Sequence, residues 1–154
     1  MTELKADTTL SKIFLAAHET EKDKIANLAN AAAVLMQFVP DINWAGFYLL
    51  EKGSGDLVLG PFQGLSATPR IKQDSGVVGT TFTKQTLTIV PDVHQFAGHI
   101  ACDPASNSEI ALPITRKNGE KIGILDIDSP ITNRFDQQIA LDLENFIQTL
   151  LANI

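Results

Sequence analysis

Glu109, Asp126 and Asp128 are the residues of this sequence whose types and spacing most plainly invite chemistry. They lie on two runs, Glu109 to Lys117 (EIALPITRK) and Glu120 to Asp128 (EKIGILDID), that flank Asn118-Gly119. Asn-Gly is the favoured pair of a two-residue type I′ turn, so the runs read as a β-hairpin whose register the turn sets. In that register Lys117 faces Glu120, Thr115 faces Ile122, Ala111 faces Asp126 and Glu109 faces Asp128. Cross-strand partners point to one side of a sheet, as do residues two apart along a strand. The acids therefore share a face, with Ala111 leaving room beside them, while Ile110, Leu112, Leu125 and Ile127 form a core-facing side. Like charges directly opposite destabilise a sheet unless water, a cation, a metal or shared protons relieve them. An ordinary water-facing surface would mix acids with Lys or Ser, and this one does not. Clustered carboxyls also raise one another's pKa, so one can stay protonated near neutrality and serve as an acid.

Cys102 is the chain's one cysteine. It lies in a polar stretch from Asp92 to Ser108 that also holds His94 and His99. A lone cysteine is ordinarily an inert buried hydrophobe, but a polar loop would leave the thiol reachable. At a pKa of about 8.5 a few per cent is thiolate at neutral pH, and a protonated His94 or His99 nearby would increase that share. A Cys–His–Asp hydrolase and a metal site of histidines plus acids stay open on these residues. The first has no further local signature, and the second matches no familiar ligand spacing. A single thiol excludes an internal disulfide and any multi-cysteine zinc or iron–sulfur site. On another strand Trp44, Gly46 and Tyr48 share a face. Such aromatics are usually core; beside the acids, Trp44 and Tyr48 would wall a pocket for a small cationic or sulfur-bearing ligand.

The elements that must position these groups follow from periodicity. Leu10, Ile13, Phe14 and Ala17 make one helical stripe, and Ile25, Leu28, Ala29, Ala32, Leu35, Met36 and Val39 a second that Pro40 closes. Phe135, Ile139, Leu143, Phe146, Ile147 and Leu150 make a terminal helix, with Thr132 or Asn133 as candidate N-cap. Between the helices the period is two. Asn43 to Leu50 reads as a strand, Gly53-Ser54-Gly55 turns into Asp56 to Gly60, and Thr86 to Val90 is a short strand. Pro61 to Gly79 reads as a glycine-punctuated loop and a candidate lid. The order helix, meander sheet, helix predicts an α/β (α+β) fold with a central antiparallel sheet and N- and C-terminal helices packed on one face. With 154 residues, 44% hydrophobic and 19% charged, the chain suits a single domain over 1–154. A net charge of −6 disfavours nucleic acid and anionic membranes as partners. No signal-like h-region opens the sequence, and the most apolar stretch, Ala29 to Val39, is too short to span a bilayer. A soluble, cytoplasmic protein is expected.

The sequence resembles the free methionine-(R)-sulfoxide reductases, a family of stand-alone GAF-domain enzymes. The matching segments are Asn43-Trp-Ala-Gly-Phe-Tyr48, Leu59-Gly-Pro-Phe-Gln-Gly64, Val90-Pro-Asp-Val-His94, Gly98-His-Ile-Ala-Cys-Asp103, Ser106-Asn-Ser-Glu-Ile110 and Gly123-Ile-Leu-Asp-Ile-Asp-Ser-Pro130. The resemblance implies that Cys102 attacks the sulfoxide sulfur, releasing methionine and leaving a sulfenic acid. It implies that Glu109, Asp126 and Asp128 bind the substrate ammonium and supply a proton or hydrogen bond to the sulfoxide oxygen, with Trp44 and Tyr48 around the methyl-sulfoxide end. A homodimer, no bound cofactor or metal, and a place in oxidative-stress defence are further implications. One departure matters. Many members carry two more cysteines, where this chain has Thr68 and Val78. Reduction of the sulfenic acid would then need an external thiol: thioredoxin, glutaredoxin with glutathione, or similar. The alternative is a non-catalytic GAF module that binds an amino-acid-like metabolite as a sensor.

Overall fold

Strands that carry apolar side chains on both faces need a cover on each, and this chain supplies two. The computed structural model describes residues 3–18, 20–98 and 104–154. Its elements run α1 (Thr9–His18), α2 (Lys24–Phe38), β1 (Trp44–Leu50), β2 (Leu57–Gln63), β3 (Arg70–Ile71), α3 (Gly76–Lys84), β4 (Thr88–Val90), β5 (Ser108–Thr115), β6 (Lys121–Ser129) and α4 (Gln137–Leu151). A 3-10 turn, Val93–Gln95, follows β4. The strands form one antiparallel sheet in the order β3-β2-β1-β6-β5-β4.

On one face α1, α2 and α4 bury Phe14, Leu28, Leu35, Leu143 and Phe146 against Phe47, Ile110, Leu112, Leu125 and Ile127. The expected packing of terminal helices on a common face is what the structure shows. On the other face α3 lays Val77, Val78 and Phe82 over Tyr48, Ala111 and Ile124. Among the described residues no helix is long and apolar enough to cross a membrane.

Helix α3 corrects the reading of Pro61 to Gly79 as loop. Its sequence, GVVGTTFTK, is poor in helix formers and rich in glycine and β-branched residues. Burial of Val77, Val78, Thr81 and Phe82 overrides that weak propensity. β2 also continues through Pro61 to Gln63, and β3 pairs with it through Leu57↔Ile71 and Val58↔Arg70. What remains of the candidate lid is residues 64–69 and 72–75, and the first stretch is tied down: Trp44 Nε1 donates to Leu65 O at 3.0 Å and Tyr48 Oη to Thr68 O at 2.9 Å.

Three local readings shift as well. The α4 N-cap is Asp136, which accepts from Ile139 N at 3.0 Å, rather than Thr132 or Asn133. On α2, Ile25 and Ala29 face solvent, and the buried face is Asn27, Leu28, Ala31, Ala32, Val34 and Leu35. Asn27 is admitted to the core because its amide donates to Glu21 O and Asn153 O. The hairpin turn is not a two-residue I′ turn. Gly119 N donates to Arg116 O and Arg116 N to Glu120 O, with positive φ at Gly119 but not at Asn118: a three-residue loop with a glycine bulge. Thr115 consequently faces Lys121, and Ile122 is absorbed in a bulge before Gly123 pairs with Ile114.

Gly123 is where β1 and β6 meet most tightly. A Cβ there would lie 2.0 Å from Tyr48 O and 3.0 Å from Leu49 Cα. Gly123→Ala is expected to cost ~2–3 kcal/mol of stability by forcing the strands apart. Gly53, around which a Cβ meets nothing within 4 Å, should change stability by less than ~0.5 kcal/mol as Gly53→Ala. Urea denaturation of the two variants makes the comparison.

Candidate active site

Register alone brings the site together. Glu109 pairs with Asp128 and Ala111 with Asp126 across β5 and β6; Trp44 pairs with Asp128 and Gly46 with Asp126 across β1 and β6. Val90 of β4 pairs with Glu109. Direct partners project to the same side, so the acids and the Trp44–Tyr48 pair occupy one face. That face is apolar under α3 and turns acidic toward the end of β6 where Asp128 sits.

The acids are not bathed in water. Glu109 is 4% and Asp126 5% exposed, and Asp128 is half-buried. One oxygen from each lies within 4.8 Å of the others. Burial pushes the Asp126 carboxyl well above the usual carboxylate range, helped by the adjacent Glu109 charge and a hydrogen bond with Glu109. Two carboxyls can hydrogen-bond only when one holds a proton, so burial presses this pair toward sharing one. Asp126 Oδ1 is buried with no hydrogen-bond partner among the described residues. Such a cluster can accept hydrogen bonds from an ammonium group and give up a proton. A cation would find its ligands here too, though a retained proton on Asp126 weakens the donor set for a metal.

The aromatic wall is built by close approach. Trp44 and Tyr48 are 3% and 2% exposed. The indole stacks on Phe62 at 5.2 Å and on the Tyr48 ring at 6.1 Å. A Cβ on Gly46 would lie 2.3 Å from Phe62 Cβ and 2.8 Å from Trp44 Cη2, and one on Gly64 2.5 Å from Trp44 Cδ1. Glycine at both places therefore lets the indole lie flat. Gly64 has φ of 133° as well, a conformation that glycine alone adopts readily.

The structure thus brings together Glu109, Asp126, Asp128, Trp44 and Tyr48. Cys102 and His99 lie outside the described residues. Val78 is buried on α3, and Thr68 meets the site through its carbonyl. Sequence reasoning missed Phe62, because it ends the strand at Gly60; β2 continues through Pro61, whose missing N–H is tolerated beside the bulge in the β1–β2 pairing. It also missed Asn107, whose Oδ1 accepts from His94 Nε2 at 3.0 Å and whose Nδ2 donates to Pro130 O at 2.7 Å.

No family model matches the chain. The free methionine-R-sulfoxide reductase of Escherichia coli (strain K12) is 48% identical over 149 residues, covering 97% of this chain and 87% of that protein. The crystal structure of free methionine-R-sulfoxide reductase from Neisseria meningitidis in complex with its substrate superposes with a TM-score of 0.88 at 36% identity, over 99% of this chain and 95% of that one. A solved GAF domain, 34% identical, gives 0.84 over 94% of this chain and 86% of that one. With its one-domain α+β fold and its near full-length identity to these proteins, the chain belongs to the free methionine-R-sulfoxide reductase family, oxidoreductases built on the GAF fold.

Proposed function

We propose that this protein reduces free L-methionine-(R)-sulfoxide to methionine, with Cys102 as nucleophile and Glu109, Asp126 and Asp128 as the carboxyl cluster that holds the ammonium and protonates the sulfoxide oxygen. The observation that carries the proposal is the buried Glu109–Asp126 pair, its Asp126 carboxyl raised by burial and by Glu109, beside the Trp44–Tyr48 wall. A sulfoxide oxygen leaves only if it is protonated, and Asp126 keeps a proton at a pH where an exposed carboxyl has lost it. Asp128 and the ionised member of the pair offer negative charge to the ammonium. Trp44 and Tyr48 offer an apolar, polarisable surface to the methyl-sulfur end.

In the first half-reaction the Cys102 thiolate attacks the sulfoxide sulfur, and the oxygen takes a proton from the cluster. The S–O bond then breaks with transfer of OH to the cysteine sulfur, giving methionine and Cys102 sulfenic acid. Sulfur of the substrate is reduced by two electrons and sulfur of Cys102 is oxidised by two. Recycling consumes two external thiols: the first forms a mixed disulfide and releases water, and the second releases Cys102. Threonine at 68 and valine at 78 leave no internal thiol to do this. The donor is a small thiol or a thioredoxin- or glutaredoxin-like protein in a reducing, cytoplasmic setting. Leu15 and Ile25, exposed on α1 and α2, support pairing of two copies through the N-terminal helices.

Separated R and S epimers of free methionine sulfoxide, assayed for methionine release with excess dithiothreitol, test the reading. R-selective turnover that disappears in Cys102→Ser is expected. Saturable binding of methionine sulfoxide without turnover by the wild type would instead make the chain a binding module of the sensor kind. N-acetyl-methionine-(R)-sulfoxide, which lacks the ammonium, should lose on the order of 10⁴-fold in kcat/KM. Asp126→Asn should lower kcat by roughly 10²-fold or more. The wild-type kcat should fall as pH rises through the raised Asp126 pKa, because the donor is then lost, and the variant should lack that limb. Stability carries the same sign. The native state holds this proton more tightly than the unfolded chain, so wild-type stability falls as pH rises through that pKa, and Asp126→Asn escapes the loss. Urea midpoints measured across pH read it directly.

A further inference from the structure

The stretch that carries Cys102 leaves and rejoins the sheet through two stems that are bound to each other. On the outgoing side, Asp92 Oδ1 accepts from His94 N at 3.0 Å and turns the chain after β4 into Val93–Gln95. On the returning side Asn107 stands immediately before β5. Val93 N donates to Asn107 O at 2.9 Å, and Asn107 N donates to Ser129 O at 2.7 Å. The Asn107 side chain adds a second layer. Its Nδ2 donates to Pro130 O at 2.7 Å, which sets the amide orientation and leaves Oδ1 as the acceptor 3.0 Å from His94 Nε2. His94 Nε2 must therefore carry a hydrogen, a condition that the neutral Nε2–H tautomer and the imidazolium both meet.

The location gives this bond its interest. Val90 pairs with Glu109, so both stems emerge beside the carboxyl cluster. His94 is exposed, and an exposed side-chain hydrogen bond contributes little to global stability. What it does add is a side-chain tie, beside the Val93 N–Asn107 O backbone bond, between the two chain segments on either side of residues 96–106. Nε2 is committed to Asn107, so this nitrogen is not available to a thiol.

We propose that His94 is a positioning residue: acting through Asn107, it holds the two stems at the spacing that presents Cys102 to the Glu109–Asp126 pair. The proposal rests on Cys102 being the nucleophile. A displacement of about 1 Å at a reacting atom can cost on the order of 10²-fold in rate, so a small change in stem spacing has a large kinetic readout.

The test compares His94→Ala with His94→Gln, whose amide N–H can reach Asn107 Oδ1 as the imidazole does. In His94→Ala, kcat for the R epimer should fall roughly 10- to 100-fold with KM changed by less than about 3-fold. In His94→Gln, kcat should return to within about 3-fold of wild type, and the pH–rate profile should superimpose on it. Amide hydrogen exchange across residues 96–106 should speed up about 10-fold in His94→Ala and stay at the wild-type rate in His94→Gln. Wild-type kcat and exchange in His94→Ala would overturn the proposal. So would a His94→Gln variant as impaired as His94→Ala with a displaced pH profile, since His94 would then be handling a proton. Absence of turnover in the wild type would count against the reductase reading alone, and the exchange comparison would still decide whether His94 braces the stems.

Discussion

A buried pair of carboxyls on a sheet face is tolerable only while it shares a proton, and the arrangement of this molecule follows from that constraint. Glu109 and Asp126 lie on neighbouring central strands, at positions where the sheet is covered on both sides. Exposed there, they would be two ordinary anions. Covered, they are pressed toward a single negative charge and a retained proton, which is the state a reaction with a poor oxygen leaving group requires. Helix α3 belongs to this account as much as the acids do. It closes the apolar end of the same face with Val77, Val78 and Phe82, leaving the acidic end as the place where polar groups converge.

The aromatic wall and the segment above it form one unit. Trp44 and Tyr48 lie on the acid-bearing face of β1, yet each uses its polar atom to hold residues 64–69, through Leu65 O and Thr68 O. Buried Trp and Tyr ordinarily find a partner for the N–H or O–H. Here the partners are main-chain carbonyls, so the bond is indifferent to which side chain stands at 65 or 68. Phe62 and the glycines at 46 and 64 complete the seat of the indole by letting neighbouring groups approach it closely. A change at any of these positions is a change in the shape of the wall.

How much of this could be read from sequence depended on whether parity or propensity carried the inference. The acid face needed only parity, and it emerged correctly even though the turn was misread. The loop has three residues instead of two, and the bulge at Ile122 takes one residue back, so the two offsets cancel before Ala111 and Glu109 are reached. Thr115, which lies between the turn and the bulge, shows the discrepancy by facing Lys121. Contact between β1 and β6 was not legible, because strand order is a long-range choice that local pattern does not encode. Trp44 beside Asp128 could only be posed as a condition. Helix α3 was hidden for the opposite reason: its own residues argue against a helix, and the burial that enforces it is tertiary. Phe62 was lost with the end of β2, which glycine punctuation made look like loop from Pro61 on, and Asn107 to the fact that a side-chain bracket has no periodicity.

The threonine at 68 bears on how a chain without the two further cysteines that the resemblance implies for many members can keep the same arrangement of wall and acids. Position 68 contacts Tyr48 through its carbonyl, which any residue supplies, so exchanging the side chain leaves the tie between wall and loop in place. Val78 is likewise an apolar residue packed in an apolar cluster, where a thiol and an isopropyl group make similar demands on space. The two tasks that the resemblance assigns to this region, shaping the pocket and relaying oxidising equivalents, are thus carried by different atoms. On the proposed reaction, the consequence is confined to the second half of the cycle. Capture of the substrate and transfer of its oxygen draw on Cys102 and the carboxyl face, whereas regeneration is delegated to a thiol that must arrive from outside.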